Sequence, residues 1–245
     1  MPQASPSAAE RAAVISIGDE LIIGQSLDTN SKWLSERLTS IGLTVIEHAT
    51  VPDDLDLLVR AIRRLADACD TVILTGGLGP TADDLTREAL AKLLNEPLVE
   101  DSASLAAIER WFTRSNRVMP ERNRVQALRP ASGTHLPNPN GTAPGIRVSR
   151  GSATLHCLPG PPSEMRPMFE DHVRPRLTPP AGRLIRTRVV QSAGLGESEV
   201  AQRLGGLMDR HRNPLVGTTA SGGIVTVRIR DESADPVDVV DERVE

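Results

Sequence analysis

The sequence predicts an α/β domain built on a mostly parallel sheet, followed by a small α+β unit. Between residues 12 and 75 apolar, β-branched runs alternate with amphipathic segments in the order βαβαβ. The third run, Thr71 to Leu74, ends in the glycine loop Gly76-Gly77-Leu78-Gly79-Pro80, which opens into another helical pattern. After the Pro- and Gly-rich stretch at 177–182 the pattern shifts to strand, helix, strand. A chain of 245 residues is long enough for a larger and a smaller domain, and with no Tyr, two Phe and two Trp its core must be aliphatic.

Taken in order, residues 1–10 are rich in Pro, Ser and Ala and are expected to form a loose tail. Residues 12–17 form the first strand and end in Gly18-Asp19-Glu20. Asp28-Thr29-Asn30-Ser31 supplies N-caps for a helix with Trp33, Leu34, Leu38 and Ile41 on one face, which Gly42 stops. Residues 43–51 form the second strand, and Asp53 is expected to cap a helix that buries Leu55, Leu58, Val59, Ile62 and Leu65. The helix after the glycine loop is expected to begin at Thr81, where Thr81 and Asp84 have the form of a capping box.

Further on, residues 101–112 and 122–128 read as helices, and 146–148 with 153–158 as a hairpin around Arg150-Gly151. Ser163 is expected to cap a helix anchored by Met165, Met168 and Phe169. Beyond the linker, strands are expected at 184–191 and 223–229 with a helix at 197–208 between them. A last helix begins near Asp235, so close to the end that the natural sequence is expected to continue.

Right-handed crossovers make the first three strands parallel. If the second strand lies outside the first and the third lies on its other side, strand order reverses between one and three, and a ligand crevice opens there. Gly18-Asp19-Glu20 and the glycine loop then face one another. The loop presents backbone N–H groups and a helix N-terminus, a place that stabilises phosphate. Asp83 and Asp84 at the same place would repel a bare phosphate. They suit a divalent cation held between protein and ligand, or proton handling, or simply first-turn acids that favour the helix dipole.

A net charge of −4 with no basic run argues against duplex nucleic acid as a partner. Cys69 and Cys157 lack metal spacing and read as buried thiols in a reducing compartment. No apolar stretch reaches membrane-spanning length and no signal-peptide pattern opens the chain, so a cytoplasmic location and no membrane partner are expected.

Four motifs in order resemble the N-terminal part of the competence/damage-inducible CinA family. They are Gly18-Asp19-Glu20-Leu21 with Gly24 and Asp28-Thr29-Asn30-Ser31; Gly76 through Asp84; Asn138 with Gly141-Thr142-Ala143-Pro144-Gly145; and Leu158-Pro159-Gly160-Pro161-Pro162-Ser163-Glu164-Met165. The resemblance implies a three-layer αβα molybdopterin-binding-like domain over residues 11–178 and a small KH-type α+β domain over 183–245. It implies hydrolysis of ADP-ribose to AMP and ribose 5-phosphate with Mg²⁺ or a similar divalent metal, and with potassium. Nothing in the chain corresponds to the nicotinamide-mononucleotide deamidase domain of full-length members. The same domain type occurs in the molybdenum cofactor enzymes MogA and MoeA, so molybdopterin is the alternative ligand.

The residues expected to carry the chemistry are Asp83, Asp84 and Glu20 as catalytic groups, with Asp19 and Asp84 on the metal. Gly76, Gly77, Gly79, Thr81, Asn30, Asn138, Gly141, Thr142 and Gly160 are expected to bind substrate. Which carboxylate acts as base is left open. A homodimer binding a small nucleotide is expected. A non-catalytic nucleotide-binding module and an RNA adaptor using the tail remain as alternatives, although the tail has no G-x-x-G loop of the kind a KH module uses.

Overall fold

A strand can run through the middle of a sheet with both faces covered only if nearly every side chain is apolar or small, and residues 12–17 meet that condition. In the computed structural model, which describes residues 10–178, 184–235 and 237–244, Arg11–Ile17 forms β1, buried at every position after Arg11. Next come α1 (Asp19–Ile22), α2 (Thr29–Ser40), β2 (Thr44–Val51), α3 (Leu55–Ala66) and β3 (Thr71–Thr75). The strands β2 and β3 flank β1 and run parallel to it. The order therefore reverses between β1 and β3, as the alternating pattern predicts.

The larger unit continues with α4 (Thr86–Leu94), β4 (Leu98–Glu100), α5 (Ser102–Arg114), β5 (Leu128–Pro130), β6 (Thr134–Leu136), β7 (Gly145–Arg150), β8 (Ala153–Leu158) and α6 (Pro162–Met168). Its main sheet has the order β2-β1-β3-β8-β7-β6, and β4 pairs with β5 separately. Only β7 runs against its neighbours. Alternate residues split between the two faces. Ala13, Ile15, Ile17, Val72 and Leu74 pack with Leu58, Ile62 and Leu65 of α3 and with Ala89 and Leu90 of α4. On the opposite face the Ser16 hydroxyl meets Ser31 of α2 at 2.9 Å. There the Trp33 ring stands edge-on to Phe169, centroids 5.4 Å apart. The result is the three-layer αβα arrangement.

The smaller unit is built from β9 (Leu184–Ala193), α7 (Glu197–Leu204), β10 (Leu215–Ser221), β11 (Ile224–Ser233) and α8 (Val237–Val244). Its antiparallel sheet has the order β10-β11-β9. Gly222 and Gly223, with φ of 56° and 78°, make the two-residue turn between β10 and β11. Val200 packs on Val225 and Val227. Arg243 of α8 pairs with the buried Asp231 at 2.8 Å.

Several local expectations are corrected. The helix after the glycine loop begins at Thr86, not Thr81, because the Asp84 carboxylate folds back onto the loop instead of capping a first turn. Asp54, not Asp53, caps α3, accepting from the Leu57 amide at 2.8 Å. Ser163 lies inside α6, whose N-cap position is Pro161. Residues Glu121–Ala127 form a 3-10 segment, and the helix expected to reach Met208 ends at Leu204 before a 3-10 turn. The strand β10 and the short β4, β5 and β6 were not expected: the last three are three residues long, too short to show a period, and β10 is interrupted by Gly217. The tail at 1–9 and most of the linker, 179–183, lie outside the described residues.

The loop between β3 and α4 is held from the helix side by Arg87, which is only 2% exposed. Its guanidinium donates to the carbonyls of Leu78 (2.8 Å), Gly79 (2.7 Å) and Asp84 (3.4 Å). Removing it strands buried carbonyls as well as a packed side chain, so Arg87→Ala is expected to cost about 3 kcal/mol. Urea unfolding checks this, and a loss below about 1 kcal/mol would show that the loop does not depend on the guanidinium.

Candidate functional site

The chain leaves β3 through two glycines that no other residue can replace. Gly76 has φ of 108°, and a Cβ there would lie 2.5 Å from the Ile17 carbonyl oxygen. Gly77 has φ of 65°, and its Cβ would lie 2.4 Å from Thr86 Oγ1. Downstream, Asp84 accepts from the Gly79 amide through Oδ1 (2.7 Å) and from the Thr81 amide through Oδ2 (2.8 Å), with the Thr81 hydroxyl added. Those amides are therefore occupied. Where the loop leaves β3, the amides of Gly77 and Leu78 have no protein acceptor among the described residues. They are the donors available to an anion.

A cleft of about 370 Å³ lies over this loop. It brings together Glu20, Gly76, Gly77, Gly79, Thr81, Asp83, Asp84, Thr142 and Gly160, all expected from the sequence. Asp53, Gln126 and Glu164 line it too, and none of these was expected. The sequence reads Asp53 as a helix cap and Gln126 as part of the helix at 122–128. Glu164 stood in a quoted motif, but nothing in its spacing marked it as a cleft carboxylate.

Asp19 does not line the cleft. It exchanges bonds with Asp53: the Asp19 amide donates to Asp53 Oδ2 at 3.0 Å and the Asp53 amide to Asp19 Oδ1 at 3.1 Å. This pair ties the ends of β1 and β2 together. Asn30 sits in an adjoining crevice of about 170 Å³, shared with Glu20 and Gly160. Its Nδ2 donates to the Gly160 carbonyl (2.7 Å) and to Thr75 Oγ1 (3.1 Å), which fixes the β8 loop against β3. Asn138 and Gly141 line a third cavity instead, which also includes Thr142. Asn138 Nδ2 donates to Glu164 Oε2 at 2.7 Å and to the Ala143 carbonyl at 2.9 Å.

The carboxyls differ in their readiness to ionise. Asp53 is raised by desolvation and by the charges of Asp19, Asp83 and Glu20, against the bond from the Asp19 amide. Glu164 is raised by burial, which the Asn138 bond partly offsets. Asp83, fully exposed, is held below the ordinary range by the Thr81 hydroxyl. The site thus gathers like charges without a cation of its own. Among the described residues no three His, Cys, Asp or Glu are arranged to hold a metal by themselves. Mg²⁺ needs only one or two carboxylates when phosphate oxygens and water complete its shell. The hard oxygens of Glu20 and Asp83, both lining the cleft, suit a cation shared in that way with phosphate oxygens.

Comparison with known proteins agrees with this architecture. Residues 13–179 match the family described as "Probable molybdopterin binding domain", and residues 187–243 match "Damage-inducible protein CinA KH domain". A competence-damage inducible protein of Clostridium botulinum is 41% identical over 219 residues, covering 89% of this chain and 54% of its own. One from a Geobacillus species is 42% identical over 220 residues, 89% and 53% of the two chains. The chain therefore spans about half the length of these relatives. The crystal structure of CinA from Thermoplasma acidophilum is 34% identical with a TM-score of 0.64, covering 70% of this chain and all of that one.

The raised carboxyl of Asp53 has a measurable consequence. The folded protein holds its proton more tightly than the unfolded chain does, so the penalty is absent in acid and grows as pH rises through the ordinary Asp range and beyond. Asp53→Asn keeps an acceptor for the Asp19 amide and removes the charge. It is expected to raise the melting temperature at pH 7 to 8, with the gain fading as pH falls toward about 4. A gain that is equal at all pH values would place the effect elsewhere.

Proposed function

The chain belongs to the CinA family, and we propose that its larger unit hydrolyses the diphosphate bond of ADP-ribose or a closely related nucleotide, giving AMP and ribose 5-phosphate with the help of a divalent cation. One observation carries this reading. The ends of β1, β2 and β3 bring bare amides and several carboxylates to a single cleft, a combination that suits an anion accompanied by a metal better than either alone.

In this reading the amides of Gly77 and Leu78 hold one phosphate. Glu20 and Asp83 would hold the cation, which when bound would offset charge on the phosphoryl group and acidify water. A water oxygen forms a new bond to phosphorus, the bridging P–O bond breaks, and the leaving phosphate departs as the second product. The water proton passes to a carboxylate, and the raised Asp53 is the group best suited to take it. Glu164 is the carboxyl best able to stay protonated beside the leaving oxygen. No cysteine or serine nucleophile is required. Asp84 acts by shaping the loop, because its carboxylate already accepts from Gly79 and Thr81.

The roles of the two adjacent acids separate experimentally. Asp83→Asn is expected to lower ADP-ribose turnover by about a hundredfold or more with unchanged stability. Asp84→Asn is expected to lose both turnover and about 1 kcal/mol of stability, since an amide cannot accept on both sides. Product analysis with and without Mg²⁺, alongside thermal melts, checks both. Full turnover by Asp83→Asn would remove that carboxylate from the chemistry, and absence of AMP from the unaltered protein would sink the hydrolase reading in favour of a binding module. Molybdopterin serves as the competing ligand.

A further inference from the structure

A cavity of about 540 Å³ in the larger unit runs along α5 and residues 133–144 and has no role in the bond cleavage just described. Thr142 lines both this cavity and the glycine-loop cleft. Asn138 of this cavity donates to Glu164 of the cleft at 2.7 Å. We propose that this cavity takes the planar heteroaromatic base of the nucleoside whose diphosphate lies in the glycine-loop cleft, with Trp111 as the stacking surface. The inference deepens the hydrolase reading and rests on it for the position of the diphosphate.

Composition makes Trp111 unusual. The chain has two Trp, two Phe and no Tyr. Trp33 is committed to structure, against the Phe169 ring and beneath the guanidiniums of Arg37 and Arg166. Trp111 has no ring or cation over it among the described residues, yet it lines this cavity. A half-buried indole without a partner offers a stacking face to a base.

Its neighbours on the same cavity wall suit a nucleotide too. Arg110 and Arg114 flank Trp111 on α5 and form no ion pair among the described residues, so their charges are available to a phosphate-bearing ligand. Pro137, Pro139 and Pro144 stiffen the opposite wall. The ring edge would meet neutral polar groups. Ser104 Oγ lies 2.7 Å from His135 Nδ1, and burial pushes His135 down to about 4, so its imidazole is uncharged at neutral pH. Neutral donors and acceptors against an aromatic wall recognise a base edge, whereas a sugar phosphate alone would leave the indole unused.

The absence of Tyr gives the test a clean signal, because only Trp33 and Trp111 fluoresce appreciably. In a Trp33→Phe variant, with metal removed by EDTA to prevent turnover, AMP and ADP-ribose are expected to quench Trp111 emission and ribose 5-phosphate is not. In the otherwise unaltered chain, Trp111→Leu is expected to raise KM for ADP-ribose about tenfold with kcat changed less than about twofold, the size of one lost base stack. Quenching by AMP in a protein that hydrolyses nothing would leave the base pocket standing and the hydrolase reading refuted. Normal hydrolysis with no quenching and an unchanged KM in Trp111→Leu would overturn the pocket and leave the hydrolase reading intact. If Trp111→Leu instead dissociates an oligomer in sedimentation at unchanged KM, the α5 face is an interface between copies and the proposal falls.

Discussion

The glycine loop depends on two side chains that hold its backbone from opposite electrical signs. The Asp84 carboxylate takes the amides of Gly79 and Thr81, while the Arg87 guanidinium takes the carbonyls of Leu78 and Gly79. A buried turn must satisfy such groups or forfeit stability. Because these two residues satisfy one part of the loop, Gly77 and Leu78 are left with unpaired amides in an otherwise fixed frame. An anion arriving there meets donors that need no reorganisation.

The sheet topology then supplies the opposite charge. Strand order reverses between β1 and β3, so the residues that follow β1 and β2 emerge beside the loop. Asp19 and Asp53 lock those two ends by exchanging amide bonds, and the lock places Asp53 in the cleft. The cost is repulsion among carboxylates, which Asp53 registers as a raised proton affinity. A structure that keeps such repulsion at a strand end gives up stability at the mouth of the glycine-loop cleft, the pattern of a perturbed functional site.

The sequence made the fold and the cleft's outline legible because both follow from periodicity and strand order, which are local or topological. Alternation at 12–17 and 71–75, with amphipathic helices between, sufficed to place Glu20 opposite the glycine loop, and the cleft does join Glu20 with Asp84. What could not be read was the direction of individual side chains. Thr81 and Asp84 have the spacing of a capping box, yet the bond they make closes a turn outside the helix. Asp53 and Asp54 are chemically alike, and only the geometry shows that one caps α3 while the other faces the cleft. The β10 strand escaped notice because Gly217 breaks its apolar start, Leu215-Val216, from the mostly exposed Thr218 to Ser221, and its partner β11 supplies the pairing.

The positions Asn138, Gly141 and Thr142 show why a motif can span two cavities. A Cβ on Gly141 would lie 2.1 Å from Glu164 Oε2, so glycine there is what allows Glu164 to approach Asn138. That contact spends the Asn138 amide on the wall and leaves Thr142 bordering both spaces. Asn138 and Gly141, which look from the sequence like direct binders, therefore act first on the wall itself: one anchors Glu164 and the other makes room for it.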